Sequence, residues 1–327
     1  MKLIKFILFC ALIINYANAQ NKKIAFCSNN GTNGFLQVFS MKEDGTGKTQ
    51  LTNLNENCMR PKWSPDGKQI TFYTDRGYVY LIRDSEKPNL NHTFLVWGGY
   101  YPSFNIDGTE IIFNSEFEDI LSVFSIDTAS FGAEPQLWTD GSYSNMQILS
   151  QDGKKMVFSA FNEGTKSIMI MDLEDTTENY ITKISLNDEA NLEPDISSDN
   201  SKIVYASFDN NLKGTIRILE NGKEKALTKG LGSSNVPRFS PDGKKIAFVV
   251  IGDKAVSLYV MNADGSAQRN LNADGGNIGT FLWIDNNRIA YDAGSETSTV
   301  IGIINTETGD NEIIAEGGFN LHPAVQK

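Results

Sequence analysis

The apolar positions of this chain fall into short bursts of strand length. Seven times a strand of the form Ile-x-aromatic recurs, about 43 residues apart: Ile24-Ala25-Phe26, Ile70-Thr71-Phe72, Ile111-Ile112-Phe113, Met156-Val157-Phe158, Ile203-Val204-Tyr205, Ile246-Ala247-Phe248 and Ile289-Ala290-Tyr291. A bounded apolar run of this length reads as a strand. Self-similarity at this period is the signature of a β-propeller, with one blade per repeat.

A second element precedes most copies. Its fullest forms are Arg60-Pro61-Lys62-Trp63-Ser64-Pro65-Asp66-Gly67-Lys68 and Pro237-Arg238-Phe239-Ser240-Pro241-Asp242-Gly243-Lys244. Asp-Gly between two β-rich runs predicts a hairpin, because the tight turn needs positive φ. The leading proline is expected at the strand start, where no ladder donor is needed. The apolar residue three before the Asp (Trp63, Phe104, Leu149, Ile196, Phe239, Leu282) is expected to pack between blades. A third strand and a short fourth strand follow each copy, which makes one four-stranded blade.

The first copy, at Ile24, has no such partner ahead of it. The final residues His322-Pro323-Ala324-Val325-Gln326-Lys327 read as the missing strand. The expected fold is therefore all-β: a seven-bladed β-propeller closed by its C-terminal strand, with six blades as the alternative. Closure of this kind removes unpaired edges at the ring junction.

Ahead of the repeats, Lys2 and Lys5, an apolar run from Phe6 to Ile14 and Ala17-Asn18-Ala19 form a signal-peptide pattern. The expected division is a signal peptide over residues 1–19, cleaved after Ala19, and a propeller over 20–327. Phe9 before Cys10 argues against a lipid anchor. No later run is long enough to span a bilayer. The expected location is periplasmic or secreted.

Composition changes this picture little, at 40% hydrophobic and 21% charged residues. Without Lys2 and Lys5 there are 27 Lys and Arg against 40 Asp and Glu, a net charge of −13. That disfavours nucleic acid and anionic membranes, since phosphate binding needs a basic stripe. In an oxidising compartment Cys27 and Cys58 fit a disulfide, while two buried thiols are the plainer reading.

The Pro-x-Trp-Ser-Pro-Asp-Gly-Lys-x-Ile-x-Phe pattern resembles the repeat of the TolB-like propeller family. The likeness runs through the mature chain, strongest in the second and sixth repeats. It implies the fold and leaves function open, since binding proteins, lyases and peptidase accessory domains share the repeat. TolB itself carries an α/β domain ahead of its propeller, whereas Gln20 to Lys23 alone precede the first strand here. A TolB-like propeller is expected, not an equivalent of TolB.

The enzyme reading meets a shortage of reagents. His92 and His322 are the two histidines. They do not reproduce the metal-binding histidine cluster that oligogalacturonate-lyase relatives carry, and His92 reads as part of an exposed turn. No Gly-x-Ser-x-Gly elbow, His-Glu-x-x-His or phosphate-cradling loop occurs. Turns such as Asp44-Gly45 and Asp264-Gly265 lack the acidic ladder of a calcium loop. No cofactor is implied, although a channel-bound cation stays open.

Binding is expected on the loops around one mouth of the central channel. Aligning the repeats places Arg60, Tyr101, Met146, Glu193, Val236, Gly279 and His322 in a chemically mixed ring. Tyr100, Tyr101 and Tyr143, with Phe319 beside His322, form an aromatic sector suited to peptides or sugars. Trp97 ends a strand and reads as packing. Arg76 shares the face and is expected to pair with Asp75 or Asp119, or else to receive an acidic group. The candidate binding set is Arg60, Arg76, Tyr100, Tyr101, Tyr143, Glu193, Phe319 and His322. The expected function is an exported, non-enzymatic propeller binding a protein or peptide partner, with a cell-envelope complex as one setting for it. The alternative is a carbohydrate-binding or carbohydrate-active propeller.

Overall fold

The computed structural model describes residues 22–327 except 32, 88–91, 130–131, 140–142, 176–179 and 272–275. The signal-peptide reading therefore lies outside the described residues. Seven four-stranded antiparallel sheets form, one per repeat. Blade one takes its inner strand, Asn320–Val325, from the end of the chain and continues with Lys23–Ser28, Gln37–Lys42 and Thr49–Gln50. The inner strands of blades two to seven are Cys58–Trp63, Tyr100–Phe104, Asn145–Leu149, Ala190–Ile196, Ser233–Phe239 and Asn277–Trp283. The seven-bladed reading holds, and the six-bladed alternative does not.

The Ile-x-aromatic strand is the second strand of every blade, and its alternation builds the ring. Side chains alternate faces along a strand. In each blade the Ile or Met and the aromatic residue pack toward the preceding blade, while the middle residue packs toward the next one. Thus Ile24 and Phe26 join the core shared with blade seven, and Ala25 joins the core shared with blade two. Ile289 and Tyr291 face blade six, and Ala290 faces blade one. Seven hydrophobic clusters among the described residues correspond to the seven blade-to-blade interfaces. Buried on both faces, these strands read as continuous apolar runs.

The Asp turns repeat one hydrogen-bond scheme. In blade two the Asp66 carboxylate accepts from Ser64 Oγ at 2.6 Å and from Lys68 N at 3.0 Å, while Ser64 Oγ accepts from Gln69 N at 2.9 Å. Gly67 supplies the left-handed φ of 69°. The same bonds recur around Asp152, Asp199 and Asp242. These bonds favour the ionised carboxyl and hold Asp199 down at about 2. Asp44 and Asp264 likewise spend their carboxylates on Thr46 and Ser266.

The structure corrects several local expectations. The prolines do not sit at strand starts. Pro61, Pro102, Pro194, Pro237 and Pro323 lie inside inner strands, at a β-bulge where the ladder skips. A bulge leaves a residue unpaired, so the missing N–H costs no ladder bond. His92 is not in a turn; it opens the fourth strand of blade two, His92–Trp97, half-buried against Tyr80. Trp97 does not pack, being 75% exposed. For Cys27 and Cys58 the plainer reading stands over the disulfide, both being buried free thiols.

Blade seven has a shorter turn, which displaces its register. Trp283 pairs with Ile289 as Trp63 pairs with Ile70. Trp283 thus holds the position facing the preceding blade, while Leu282 packs between blades seven and one. The two tryptophans make one contact in two places: Trp63 Nε1 donates to the Ala324 carbonyl and Trp283 Nε1 to the Arg238 carbonyl, each at 3.1 Å. Each links a blade to the inner strand of the blade before it, and the Trp63 bond crosses the closure of the ring. Trp63→Phe removes this cross-blade hydrogen bond, while the Ala324 carbonyl keeps its place in the ladder opposite Ala25. The expected cost is about 0.5–1.5 kcal/mol, read as a lower denaturant midpoint, with a similar loss for Trp283→Phe.

Candidate functional site

The bulges decide which side chains reach the channel. Six non-glycine residues, one per bulged inner strand, adopt left-handed backbone: Arg60 (φ 48°), Tyr101 (54°), Met146 (58°), Glu193 (54°), Val236 (51°) and His322 (57°). These are the ring positions read from the repeat. The seventh position departs from the pattern. In blade seven the bulge lies at Gly279-Thr280, opposite Asp292 rather than opposite the aromatic residue. A Cβ on Gly279 would meet Asp292 Oδ1 at 2.0 Å, so only glycine admits that carboxylate. Asp292 in turn accepts from Thr280 N at 3.0 Å and from His322 N at 2.7 Å, tying blade seven to the closing strand.

A cavity of about 760 Å³ runs along the inner strands of blades two to six. It extends from Tyr100 and Tyr101 at the mouth to the turns at Pro65, Ile106 and Pro241. Arg60, Tyr100, Tyr101 and Glu193 line it. Tyr100 and Tyr101 stand 38% and 53% exposed, and both rest on buried Tyr73 with ring centroids 5.8 and 5.6 Å away. The Arg60 guanidinium lies over the Tyr101 ring at 5.0 Å. Burial and the neighbouring Tyr101 push the Tyr73 phenol up to about 12.

The remaining candidates lie elsewhere. Tyr143 is 48% exposed and packs edge-on against Phe161, outside the cavity lining. Arg76 is exposed and pairs with neither Asp75 nor Asp119; Asp75 accepts from Asn57 Nδ2 at 2.8 Å instead. Phe319 is half-buried, its amide donating to Asn29 Oδ1 at 2.8 Å on the closing seam. His322 sits behind Arg60, whose N–H points at Nδ1 from 3.5 Å. Burial, with Arg60 and Lys62 nearby, pushes His322 down to about 3, so it stays a neutral imidazole. Burial likewise raises both thiols, Cys58 to about 12. Neither is a thiolate nucleophile near neutral pH.

Sequence reasoning missed the second ring, two residues beyond the bulge, although strand alternation identifies it. There Lys62, Asp195 and Arg238 face the cavity. Arg238 pairs with Glu193 at 2.8 Å, and Asp195 Oδ2 accepts from Phe239 N at 2.7 Å. Enclosure in the channel wall raises Asp195 to about 6 despite the pull of Arg238. Lys62 is exposed to the cavity yet surrounded by protein. That enclosure, with Arg60, Arg238 and Lys327 near it, brings it down to about 8. No group of three or more His, Cys, Asp or Glu able to hold a metal occurs among the described residues.

Comparison with known proteins supplies the relatives. Residues 183–327 match the family described as the TolB beta propeller domain. An uncharacterized protein of Agrobacterium fabrum is 25% identical over 226 residues, covering 68% of this chain and 75% of its own. Dipeptidyl-peptidase 5 of Porphyromonas gingivalis is 23% identical over 312 residues, which span 86% of this chain but 44% of that enzyme. Among solved structures, TolB from Acinetobacter baumannii superposes with a TM-score of 0.59 at 17% identity, over 94% of this chain and 67% of TolB. A puromycin-hydrolyzing peptidase from Mycobacterium tuberculosis reaches 0.70 at 15% identity, over 91% of this chain and 53% of the peptidase. At these identities the structural likeness is one of fold.

Asp195 offers a test of the channel electrostatics. Its folded pKa of about 6 lies above the unfolded value of about 3.9, so the ionised carboxylate costs stability above pH 6. That cost disappears as pH falls through 6 toward 4. Asp195→Asn keeps an acceptor for the Phe239 amide. Its melting temperature is expected to exceed the parent's at pH 8, with the difference vanishing near pH 4 in paired thermal scans.

Proposed function

Because this chain carries the TolB-like propeller repeat, we propose that it is an exported binding protein that holds a peptide segment of a protein partner at the channel mouth. The observation that carries this reading is the Tyr100–Tyr101 platform, solvent-facing and seated on Tyr73, at the open end of a cavity of about 760 Å³. Aromatic rings with a polar tip give large contact area at low entropic cost, and they dominate recognition surfaces. A volume of this size suits several residues of extended chain.

The state of the reactive groups supports recognition over catalysis. The thiols are buried and protonated, and His322 is neutral and enclosed. The peptidases that share the fold extend well beyond the span matched here. Their hydrolysis is therefore not carried over to this chain. The periplasm is the compartment this reading places it in, since TolB-like propellers and the N-terminal signal pattern both point there. No helix among the described residues is long and apolar enough to cross a membrane.

Solvent-facing aromatic rings also favour a second reading, stacking against sugar rings. One experiment separates the two. The protein without residues 1–19 is panned against a displayed peptide library and applied to a glycan array. Tyr100→Ala and Tyr101→Asn serve as variants, asparagine being tolerant of the left-handed backbone at position 101. Selected peptides are expected to bind the parent protein and to lose at least tenfold in affinity in either variant. Array signals that depend on the tyrosines, with no peptide enriched, would establish the carbohydrate reading instead.

A further inference from the structure

The chain is acidic overall, with a formal net charge of −11, yet its channel gathers cations. Arg60, Lys62, Arg238 and Lys327 all line the cavity, opposed by Glu193 and Asp195. The two sides of the channel differ. On the side of blades five and six the charges are matched, Arg238 Nη2 lying 2.8 Å from Glu193 Oε2. On the side of blade two, Arg60 and Lys62 have no carboxylate of the described residues within the 4.0 Å of an ion pair. Asp292 reaches Arg60 only beyond ion-pair distance, and Lys62 opens on the cavity, so two cations face that space with no carboxylate against them. Enclosure by protein first, and the neighbouring Arg60, Arg238 and Lys327 second, lower the pKa of Lys62.

The Arg60 side chain is also held in place. Its backbone sits in the left-handed bulge at φ 48°, and its guanidinium lies over Tyr101. A planar donor fork fixed against an aromatic face is arranged for a carboxylate.

We propose that Arg60 and Lys62 form a carboxylate-binding position inside the channel, which receives an acidic group of the bound peptide. This rests on the peptide reading of the channel and adds the chemistry that the peptide must carry. Anchored at the mouth by the tyrosines, the segment enters the channel with a carboxylate leading to blade two.

The test uses labelled probes and fluorescence anisotropy at moderate salt. The probes are acetylated tri-glutamate amide, acetylated tri-glutamine with a free C-terminus, and acetylated tri-glutamine amide. Binding of either carboxylate probe is expected, and the stronger of the two identifies a side-chain or a terminal carboxylate as the source. The fully neutral probe is expected not to bind. Lys62→Gln and Arg60→Gln are each expected to weaken binding at least tenfold. Lys62→Gln leaves the Arg60–Tyr101 contact intact and so guards against misfolding. Lys68→Gln and Lys244→Gln, on exposed turns, are expected to change affinity less than twofold. Equal losses in those surface variants would reduce the effect to general electrostatics and overturn the proposal. So would binding of an oligouronate with none of the carboxylate peptides. If library-selected peptides still bind through Tyr100 while Lys62→Gln has no effect on them or on the probes, the carboxylate position is refuted and the peptide reading survives.

Discussion

The whole structure depends on burying the second strand of every blade on both faces. Each Ile-x-aromatic strand gives its two large side chains to the blade behind and its middle side chain to the blade ahead. No blade completes a core alone. Stability is therefore shared around the ring, and a gap at any interface would expose two half-cores. Closure is a condition of the fold rather than an ornament on it. The C-terminal strand meets that condition by pairing Ala324 with Ala25 and Asn320 with Ser28.

Several independent contacts hold this seam. Trp63 reaches across it to the Ala324 carbonyl, and Asp292 holds the His322 amide from blade seven. Gln326 N donates to the Lys23 carbonyl at 2.9 Å. The seam also explains why the last blade departs from the repeat. Its shortened turn moves the bulge by one residue, and the glycine there makes room for the carboxylate that fastens the closing strand. A local irregularity thus serves the ring as a whole.

The same bulges that interrupt the ladders shape the channel. A left-handed residue followed in most blades by proline turns one side chain per blade away from the sheet. The backbone cost is set by the repeat, but the identity of each side chain is free to vary. Blades five and six use this freedom for an internal ion pair, whereas blade two leaves an arginine and a lysine facing open space. Binding specificity in such a ring is therefore written on individual blades, while the scaffold is common to all of them.

The seven blades, their four strands and the C-terminal closure were legible in the sequence, because period-2 burial and Asp-Gly turns are local signals. The ring of bulge residues was legible too, since each one ahead of an Asp turn lies six residues before that Asp, Gly279 before Asp285 included; what the spacing did not show is that the bulge of blade seven sits opposite Asp292. Other features were decided by tertiary structure. Trp97 is exposed, and Arg76 forms no ion pair with Asp75, whose carboxylate accepts from Asn57. His322 stays a neutral imidazole because the closed ring buries it, with Arg60 and Lys62 of blade two brought beside it from the far end of the chain. Cys27 and Cys58 share one core yet remain thiols. Local pattern fixes which face of a strand is apolar. Which charges meet across a channel depends on the order of blades around the ring, and only the closed fold sets that.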